Sequence, residues 1–327
     1  METIDIKNDL KTLNAVQNTC TFPIPEKIDS DINSNTNTFS KKDTEQSFIK
    51  EDKNRNEDKI EEIITPQLKK YTRKYIIMKD LLHNYMEIPL IALLIINTPI
   101  FQRLREIKQL GICSYVYPSA EHSRFVHSIG TSQLARLVML TLQKKQPEIN
   151  ITDREVELVT IAGLCHDLGH GPYSHTFEIW LHRKDIHFHH EDMSIKLLKL
   201  LISKYNIPLN DEEVQIVCHM IEGLVYNPDR EFMYQIVNDK KASIDVDKFD
   251  YLTRDCKMTN KECSFNAEQL IQNCRVINGK LCYDKKELHT INGLFMTRYN
   301  MFQQIYLHKT VKAIEFMFMD AFEHVSK

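Results

Sequence analysis

The stretch from Leu158 to His175, which reads LVTIAGLCHDLGHGPYSH, constrains this chain more than any other segment. Its first half repeats apolar residues at the spacing of one face of a buried helix. His166 and Asp167 then interrupt the apolar face, and a buried helix does not carry such an ionisable pair without a partner. Neutral imidazole and ionised carboxylate are both metal ligands, so the pair predicts a metal-binding or catalytic site.

Two more histidines follow this pair closely. His170 lies one helical turn after His166, and we expect the two imidazoles to share a helix face. The glycines and the proline of the GHGP segment end the helix and turn the chain, which would bring His175 back toward the same place. Two side chains do not fill a coordination shell, so the other ligands must come from distant parts of the sequence.

The overall composition excludes several classes of protein. The 327 residues carry a net charge of −3, so the overall charge does not indicate binding to nucleic acid. Binding through a local basic patch is still possible. Eight cysteines without a CxxC pair favour reduced thiols inside the cell, in the nucleus or the cytoplasm. The sequence shows no secretion leader and no apolar run near the ~20 residues of a membrane span, so we expect neither secretion nor membrane insertion.

The polar residues 1–65 are predicted to be a disordered tail, because they include few large apolar side chains. The rest of the chain, residues 66–327, shows helical periodicity and no alternating strand series, which predicts an all-α domain. Asp153 is the expected N-cap of the helix that leads to His166. The predicted helices cover residues 89–96, 101–111, 128–143, 190–204, 211–221, 243–254 and 287–324.

Candidates for the missing ligands lie on both sides of the HD pair. His127 comes just before a predicted helix. Asp247, Tyr251 and Asp255 follow at i, i+4 and i+8, on one face of a later helix. One of these carboxylates would complete a site of two histidines and two carboxylates, which suits Fe, Mn, Mg or Zn.

The order of these residues, His127, then His166-Asp167, then Asp247, resembles the H…HD…D pattern of the HD-domain phosphohydrolases. Longer segments, FQRLREIKQLG, HSRFVHSIG, IAGLCHDLGHGPYSH and IDVDKFDYLTRDC, resemble the SAM-and-HD-domain deoxynucleoside triphosphate triphosphohydrolases, over about residues 78–322. The resemblance implies an HD-type helical domain at residues 66–327. It also implies metal-dependent hydrolysis of a deoxynucleoside triphosphate (dNTP) substrate to deoxynucleoside and inorganic triphosphate.

The resemblance also assigns expected roles to individual residues. The divalent metal ion would be held by His127, His166, Asp167 and Asp247. His190 with Glu191 matches a dyad that acts as general acid or orients water, and His170 and His175 match residues beside the α-phosphate. The expected substrate-binding residues are Gln109, Leu110 and Tyr251 at the sugar, Asp255 at its 3′-hydroxyl, Tyr306 near the base, and Arg124, Lys248 and Arg298 around the triphosphate.

Some positions depart from the pattern of that family. Phe302 replaces a pocket histidine, Leu307 replaces a glutamine, and Glu178 replaces an aspartate, which bears on substrate range and rate. In the regulatory nucleotide site, Gln102 and Arg105 are kept, but Asn97 replaces an aspartate that reads guanine.

Two further changes concern assembly. Gln269 and Asp284 replace arginines of the regulatory site, and an aspartate there reverses the local field. The chain also ends where relatives continue into a C-terminal lobe, so the resemblance implies a truncated or absent lobe. We therefore expect a homodimer rather than a tetramer activated by a guanine nucleotide.

Two other functions remain open on the sequence. The first is an HD phosphohydrolase that acts on another nucleotide. The second is a catalytically weak regulator that binds nucleotides or RNA, which the altered pocket residues would favour.

Overall fold

A computed structural model describes residues 75–326, and the predicted tail at residues 1–65 lies outside this range. The described part is mostly helical, which confirms the prediction of an all-α fold. Its α-helices, in chain order, are α1 (Leu90–Ile96), α2 (Pro99–Gln102), α3 (Arg124–Lys145), α4 (Asp153–Cys165), α5 (His175–Arg183), α6 (His190–Tyr205), α7 (Asp211–Glu222), α8 (Glu231–Val237), α9 (Val246–Thr259), α10 (Ala267–Gln272), α11 (Leu288–Met301) and α12 (Lys309–Val325).

Helices α3 and α4 pack along each other at the centre of the domain, with α9 against α3 and α7 against α4. Helix α4 begins at a capping box in which Thr152 Oγ1 accepts from the Glu155 amide, and the Glu155 carboxylate accepts from the Thr152 amide. Thr152, not Asp153, is therefore the N-cap, since it keeps extended backbone angles and already bonds the first turn. The predicted N-cap was wrong by one residue.

Two glycines allow helices to approach the site closely. A Cβ on Gly130 of α3 would lie 2.0 Å from Asp250 Oδ1 on α9. A Cβ on Gly169 would lie 2.2 Å from the backbone oxygen of His190, at the start of α6. Both positions therefore require glycine if α9 and α6 are to bring Asp250 and His190 to the places they occupy.

The described residues also form two antiparallel hairpins, which the sequence analysis did not predict. The turn of the second hairpin is Asn278-Gly279, and both residues have positive φ, 51° and 76°. An Asn-Gly pair between short apolar runs is a strong hairpin signal, so this element was predictable from the sequence. The strands are β1 (Tyr75–Asp80), β2 (Asn84–Pro89), β3 (Cys274–Ile277) and β4 (Lys280–Tyr283).

Two predicted helices are broken. Residues 287–324 form α11, then a π-helical segment at Phe302–Tyr306, then α12 from Lys309. The helix predicted at residues 101–111 is also cut short. Helix α2 ends at Gln102 and is followed by a 3-10 turn at Arg103–Glu106, and Lys108 then forms a β-bridge with Ser123. Helices α5, α8 and α10 were not predicted. Within residues 75–326, no helix combines the length and the apolar character needed to cross a membrane.

Candidate metal centre and substrate pocket

Four side chains from three separate parts of the chain meet at the end of α4. His127 Nε2 lies 3.2 Å from His166 Nε2, 3.1 Å from Asp247 Oδ1 and 3.4 Å from Asp167 Oδ2. His166 Nε2 in turn lies 3.2 Å from Asp247 Oδ1 and 3.6 Å from Asp167 Oδ2. These are the four residues predicted as metal ligands, and their potential ligand atoms point toward one another.

The outer nitrogens of both imidazoles already have acceptors. His127 Nδ1 lies 2.8 Å from Asp250 Oδ2, and His166 Nδ1 lies 2.8 Å from the carbonyl oxygen of Gly163. Each Nδ1 therefore carries the proton, which leaves a lone pair on each Nε2 directed into the cluster. This second hydrogen bond is the arrangement that metal-bound histidines adopt in proteins.

The cluster thus consists of acceptors only and requires positive charge. Burial opposes charge on His127, but Asp167, Asp247 and Asp250 outweigh it and raise the pKa of His127 well above its ordinary value. Two imidazole nitrogens and two carboxylates satisfy that demand with a divalent cation. The residues present therefore fit a metal ion.

Asp250 is the buried support of this cluster, and the sequence analysis did not single it out. It accepts from Arg254 Nε and Nη2, both at 2.9 Å, and lies 2.6 Å from His83 Nε2. Asp80 Oδ2 lies 3.1 Å from Arg254 Nη1 and extends the network to the first hairpin. Burial raises the pKa of Asp250, but Arg254, His127 and His83 together hold it well below its usual range. The i, i+4 spacing of Asp250 and Arg254 was the signal available in the sequence.

Arg124 connects the cluster to the neighbouring turn. Its Nη1 donates to Asp167 Oδ2, and its Nε donates to Ser174 Oγ over 3.0 Å. Burial raises the pKa of Asp167, but the positive charge of Arg124 dominates and holds it well below normal. Ser174 and the preceding Tyr173 have positive φ, 55° and 60°, and this strained turn leads directly into His175.

His170 does not share a helix face with His166, so that prediction was wrong. Helix α4 ends at Cys165, and His170 Nε2 lies 3.2 Å from Asp167 Oδ1. Its ring stacks on His190 with centroids 4.0 Å apart and meets His175 edge-on at 4.9 Å. Burial and the nearby Arg124 lower the pKa of His170 well below its ordinary value, so this imidazole is neutral.

Two carboxylates lie near His190. Glu191 Oε2 is 3.4 Å from His190 Nδ1, whereas Glu178 Oε2 is only 3.0 Å away. The Glu178 side chain is 12% exposed and that of Glu191 is 45% exposed, so solvent screens Glu178 less. Burial lowers the pKa of His190, but Glu178 and other nearby carboxylates outweigh it and raise the pKa. Glu178 is therefore the stronger partner of His190.

A cavity of about 540 Å³ opens beside the metal cluster, with Asp167 and Asp247 in its wall. His170, His175, His190 and Glu191 line the same cavity. It also contains all of the residues predicted to bind substrate: Gln109, Leu110, Arg124, Lys248, Tyr251, Asp255, Arg298 and Tyr306.

Asp255 lies about two helical turns after Asp247 on α9, and its carboxylate is held from two sides. Tyr306 donates its hydroxyl to Asp255 Oδ2 over 2.7 Å, and His122 Nε2 lies 2.6 Å from Asp255 Oδ1. Burial raises the pKa values of Tyr251 and Tyr306, and both phenols are neutral. His122 was not predicted as a site residue, since nothing in its sequence context links it to Asp255.

Lys248, in the first turn of α9, lines the cavity and already has an ion-pair partner. Its Nζ donates to Asp245 Oδ2, the N-cap of α9, over 2.6 Å. Arg298, on α11, also lines the cavity, with its guanidinium 5.6 Å from the centre of the Phe302 ring. The two cations therefore reach the cavity from different helices.

The three predicted regulatory residues lie outside this cavity. Asn97 is the C-cap of α1, and Gln102 Nε2 donates to the carbonyl oxygen of Ile96 over 2.7 Å. Arg105 Nε donates to Gln102 Oε1 over 2.7 Å, and its guanidinium covers the ring of Phe125 at 3.6 Å. The side chains of Gln102 and Arg105 therefore already have contacts within the described domain, whereas Asn97 is exposed.

Comparison with known proteins agrees with this geometry. Residues 124–255 match the family model described as HD domain, a range that begins at Arg124 and ends at Asp255 and so contains all four predicted ligands. Residues 124–255 of the chain therefore form an HD domain.

More specific relatives share sequence beyond that domain. The chain is 43% identical over 249 residues to the deoxynucleoside triphosphate triphosphohydrolase SAMHD1 homolog of Dictyostelium discoideum, covering 75% of this chain and 48% of the relative. It is 36% identical over 274 residues to human deoxynucleoside triphosphate triphosphohydrolase SAMHD1, covering 75% and 44%. It is 35% identical over 257 residues to the putative HD domain-containing protein L394 of Acanthamoeba polyphaga mimivirus, covering 74% and 56%. The resemblance to the SAM-and-HD-domain proteins is confirmed, and the chain spans about half the length of these relatives.

Proposed function

We propose that this protein hydrolyses deoxynucleoside triphosphates to deoxynucleoside and inorganic triphosphate. The observation that carries the proposal is that Asp167 and Asp247 of the metal-type cluster line the same cavity as Tyr251 and Leu110. Relatives named as deoxynucleoside triphosphate triphosphohydrolases support the same reaction.

The ion would be held by His127, His166, Asp167 and Asp247, and Fe, Mn, Mg and Zn all suit this ligand set. When bound, such an ion polarises a phosphoryl oxygen and lowers the pKa of a water molecule. Asp250 keeps the His127 ring in the orientation that binding needs, because it accepts the proton on Nδ1.

His190 is proposed to handle the proton of the reaction, together with Glu178 and Glu191. Hydrolysis adds water to the α-phosphorus and breaks the bond to the sugar 5′-oxygen, which must gain a proton as it leaves. The carboxylates keep His190 protonated to higher pH, so the imidazolium can donate that proton or orient the water. Neutral His170 and the exposed His175 would line the α-phosphate.

Arg124, Lys248 and Arg298 are proposed to bind the triphosphate. All three line the cavity, and charge-assisted hydrogen bonds from cations stabilise an anionic leaving group. Arg124 also contacts Asp167, so the triphosphate would be drawn toward the metal ligands.

Tyr251, Leu110 and Gln109 are proposed to form the sugar site, with Asp255 at the 3′-hydroxyl and Tyr306 beside the base. Tyr251 is half-buried in the wall of the cavity, and its ring, packed under the sugar, would leave no room for a ribose 2′-hydroxyl. We therefore expect deoxyribonucleotides to be substrates and ribonucleotides to be poor competitors.

The test is product analysis with the full chain, Mn²⁺ or Mg²⁺, and each dNTP in turn. The proposal requires deoxynucleoside and triphosphate as products, with little inhibition by excess ribonucleotide. Release of monophosphate and pyrophosphate would refute this reaction while leaving a metal-dependent phosphohydrolase. Strong inhibition by ribonucleotides would instead favour a phosphohydrolase for another nucleotide.

We also propose a homodimer that does not depend on a guanine nucleotide. The support is that Gln102 and Arg105 are engaged with each other and with Ile96 and Phe125, and that Asp284 caps a turn at Lys286 where the resemblance leads us to expect an arginine. Sizing the protein with and without dGTP tests this, and a shift to a tetramer on addition of dGTP would contradict it.

A further inference from the structure

Besides His175 and His190, Glu178 lies near two exposed histidines, His182 and His189. We call Glu178, His182 and His189 the outer site. Glu178 and His182 are four residues apart on α5, so they lie on one face. His189, the residue just before α6, completes the group, and one ligand atom of each residue lies within 4.8 Å of the others. His189 Nδ1 is 3.7 Å from Glu178 Oε1, and the His182 and His189 rings are 5.3 Å apart.

The His182 ring is already oriented for binding a cation. Its Nε2 lies 2.7 Å from the carbonyl oxygen of Phe188 and therefore carries the proton. The lone pair is thus left on Nδ1. The same arrangement orients His166 in the metal cluster, where Nδ1 donates to the carbonyl oxygen of Gly163.

We propose that Glu178, His182 and His189 bind a transition-metal ion of the zinc class, separate from the ion at the metal cluster. Two imidazoles and one carboxylate favour Zn²⁺ over Mg²⁺ or Ca²⁺, which prefer oxygen ligands alone. Three protein ligands leave the fourth position of a tetrahedral ion to water. Both histidines are exposed, so the ion exchanges with solvent.

The two oxygens of Glu178 connect this outer site to the substrate cavity. Oε1 faces His189, whereas Oε2 lies 3.0 Å from His190 and 3.5 Å from His175. An ion on Oε1 draws the carboxylate outward and competes with His190 for it. An ion bound at the outer site should therefore inhibit hydrolysis. This inhibition rests on the proposed function, whereas the binding of the ion does not.

The binding test compares the full chain with the double variant His182→Asn/His189→Asn. Both proteins are dialysed against micromolar Zn²⁺ in excess Mg²⁺, and bound zinc is counted. We expect the variant to hold one zinc fewer per chain. The matched control is His289→Asn/His324→Asn, which removes two exposed histidines elsewhere and should keep the full count. Equal counts in all three proteins would overturn the site.

The inhibition test uses the same proteins with a dNTP and saturating Mg²⁺. The zinc concentration that halves the rate should rise by about 10-fold or more in the His182/His189 variant, because two of three ligands are lost. Basal rates should match, since neither histidine lines the cavity. Equal inhibition of variant and control would overturn the proposed link between zinc binding and hydrolysis. If no dNTP is hydrolysed at all, the proposed function fails, and the count of bound zinc alone tests the zinc site.

Discussion

The two ends of the substrate cavity are built differently. At the end beside Asp167 and Asp247, which we call the metal end, His127 and Asp250 are completely buried, and a second hydrogen bond fixes the orientation of each histidine proposed as a ligand. The other end is lined by Tyr306, where we propose that the base binds, and we call it the base end. There Phe302 and Leu307 are 38% and 54% exposed, and the wall comes from a π-helical segment. The metal end therefore tolerates little change, whereas the base end is free to vary.

Two departures from the family pattern follow this division, whereas a third, Glu178, lies beside His190. Phe302 and Leu307, which replace a histidine and a glutamine, both lie at the base end. π-Helical turns are rare and frequently mark functional sites, because they shift the side chains that follow by part of a turn. We infer that this end of the cavity sets substrate preference, while the metal end sets the reaction.

The largest effect is expected from Asp247→Asn at the metal end. The change removes an anionic ligand and should lower kcat by more than about 100-fold, which exceeds the loss typical of outer partners. The measurement is triphosphate release at saturating Mn²⁺. Asp320→Asn, at an exposed position of α12, is the matched control and should keep the wild-type rate. Undiminished turnover in Asp247→Asn would show that Asp247 is not a ligand.

A smaller effect is expected from Asp250→Asn, which alters only the support of His127. Metal affinity should fall by about 10- to 100-fold, since the His127 ring loses its charged acceptor. The Mn²⁺ concentration for half-maximal rate measures this, and excess Mn²⁺ should restore much of kcat. An unchanged Mn²⁺ dependence would mean that Asp250 only stabilises the fold, a role that thermal unfolding of the same variant would report.

Glu178→Gln and Glu191→Gln compare the two carboxylates beside His190. Glu178 raises the pKa of His190 by favouring the protonated ring. Loss of that charge lowers the pKa, so activity that needs the imidazolium should be lost at a lower pH. The pH profile of kcat should therefore shift its basic limb downward more in Glu178→Gln than in Glu191→Gln. A larger shift in Glu191→Gln would restore the dyad expected from the sequence.

The smallest effect is expected at the base end. Tyr306→Phe removes one hydrogen bond to Asp255 but leaves the bond from His122. A hydrogen bond to a charged group contributes about 1.5–3 kcal/mol, and His122 still holds Asp255, so kcat/KM should fall by about 10-fold or less. Steady-state kinetics with all four dNTPs would measure this. A loss as large as that of Asp247→Asn would contradict the distinction between the two ends.

The meeting of the four proposed ligands could be predicted from the sequence because each lies in a short, specific motif, and HDLGHGPYSH and DVDKFDY together contain three of the four. Only the Asp250–Arg254 pair in the support around His127 has a local signal, its i, i+4 spacing; the contacts to His83 and Asp80 could not be predicted, because they join α9 to the first hairpin. Such tertiary partners leave little trace in local spacing.

The broken helices show the same limit. Residues 287–324 keep helical periodicity throughout. The backbone nevertheless changes to a π-helix at Phe302, and this π-helix ends at its C-cap, Leu307. No glycine or proline marks that break. The Asn278-Gly279 hairpin, in contrast, carried a local signal, an Asn-Gly pair between two short apolar runs.

The most direct test of the central claim is a crystal structure with Mn²⁺, in which anomalous scattering locates the ion. One ion bonded to His127 Nε2, His166 Nε2, Asp167 and Asp247, at about 2.0–2.2 Å, is the predicted result. Strong density elsewhere, for example among His170, His175 and His190, with none between His127 and Asp247, would contradict it.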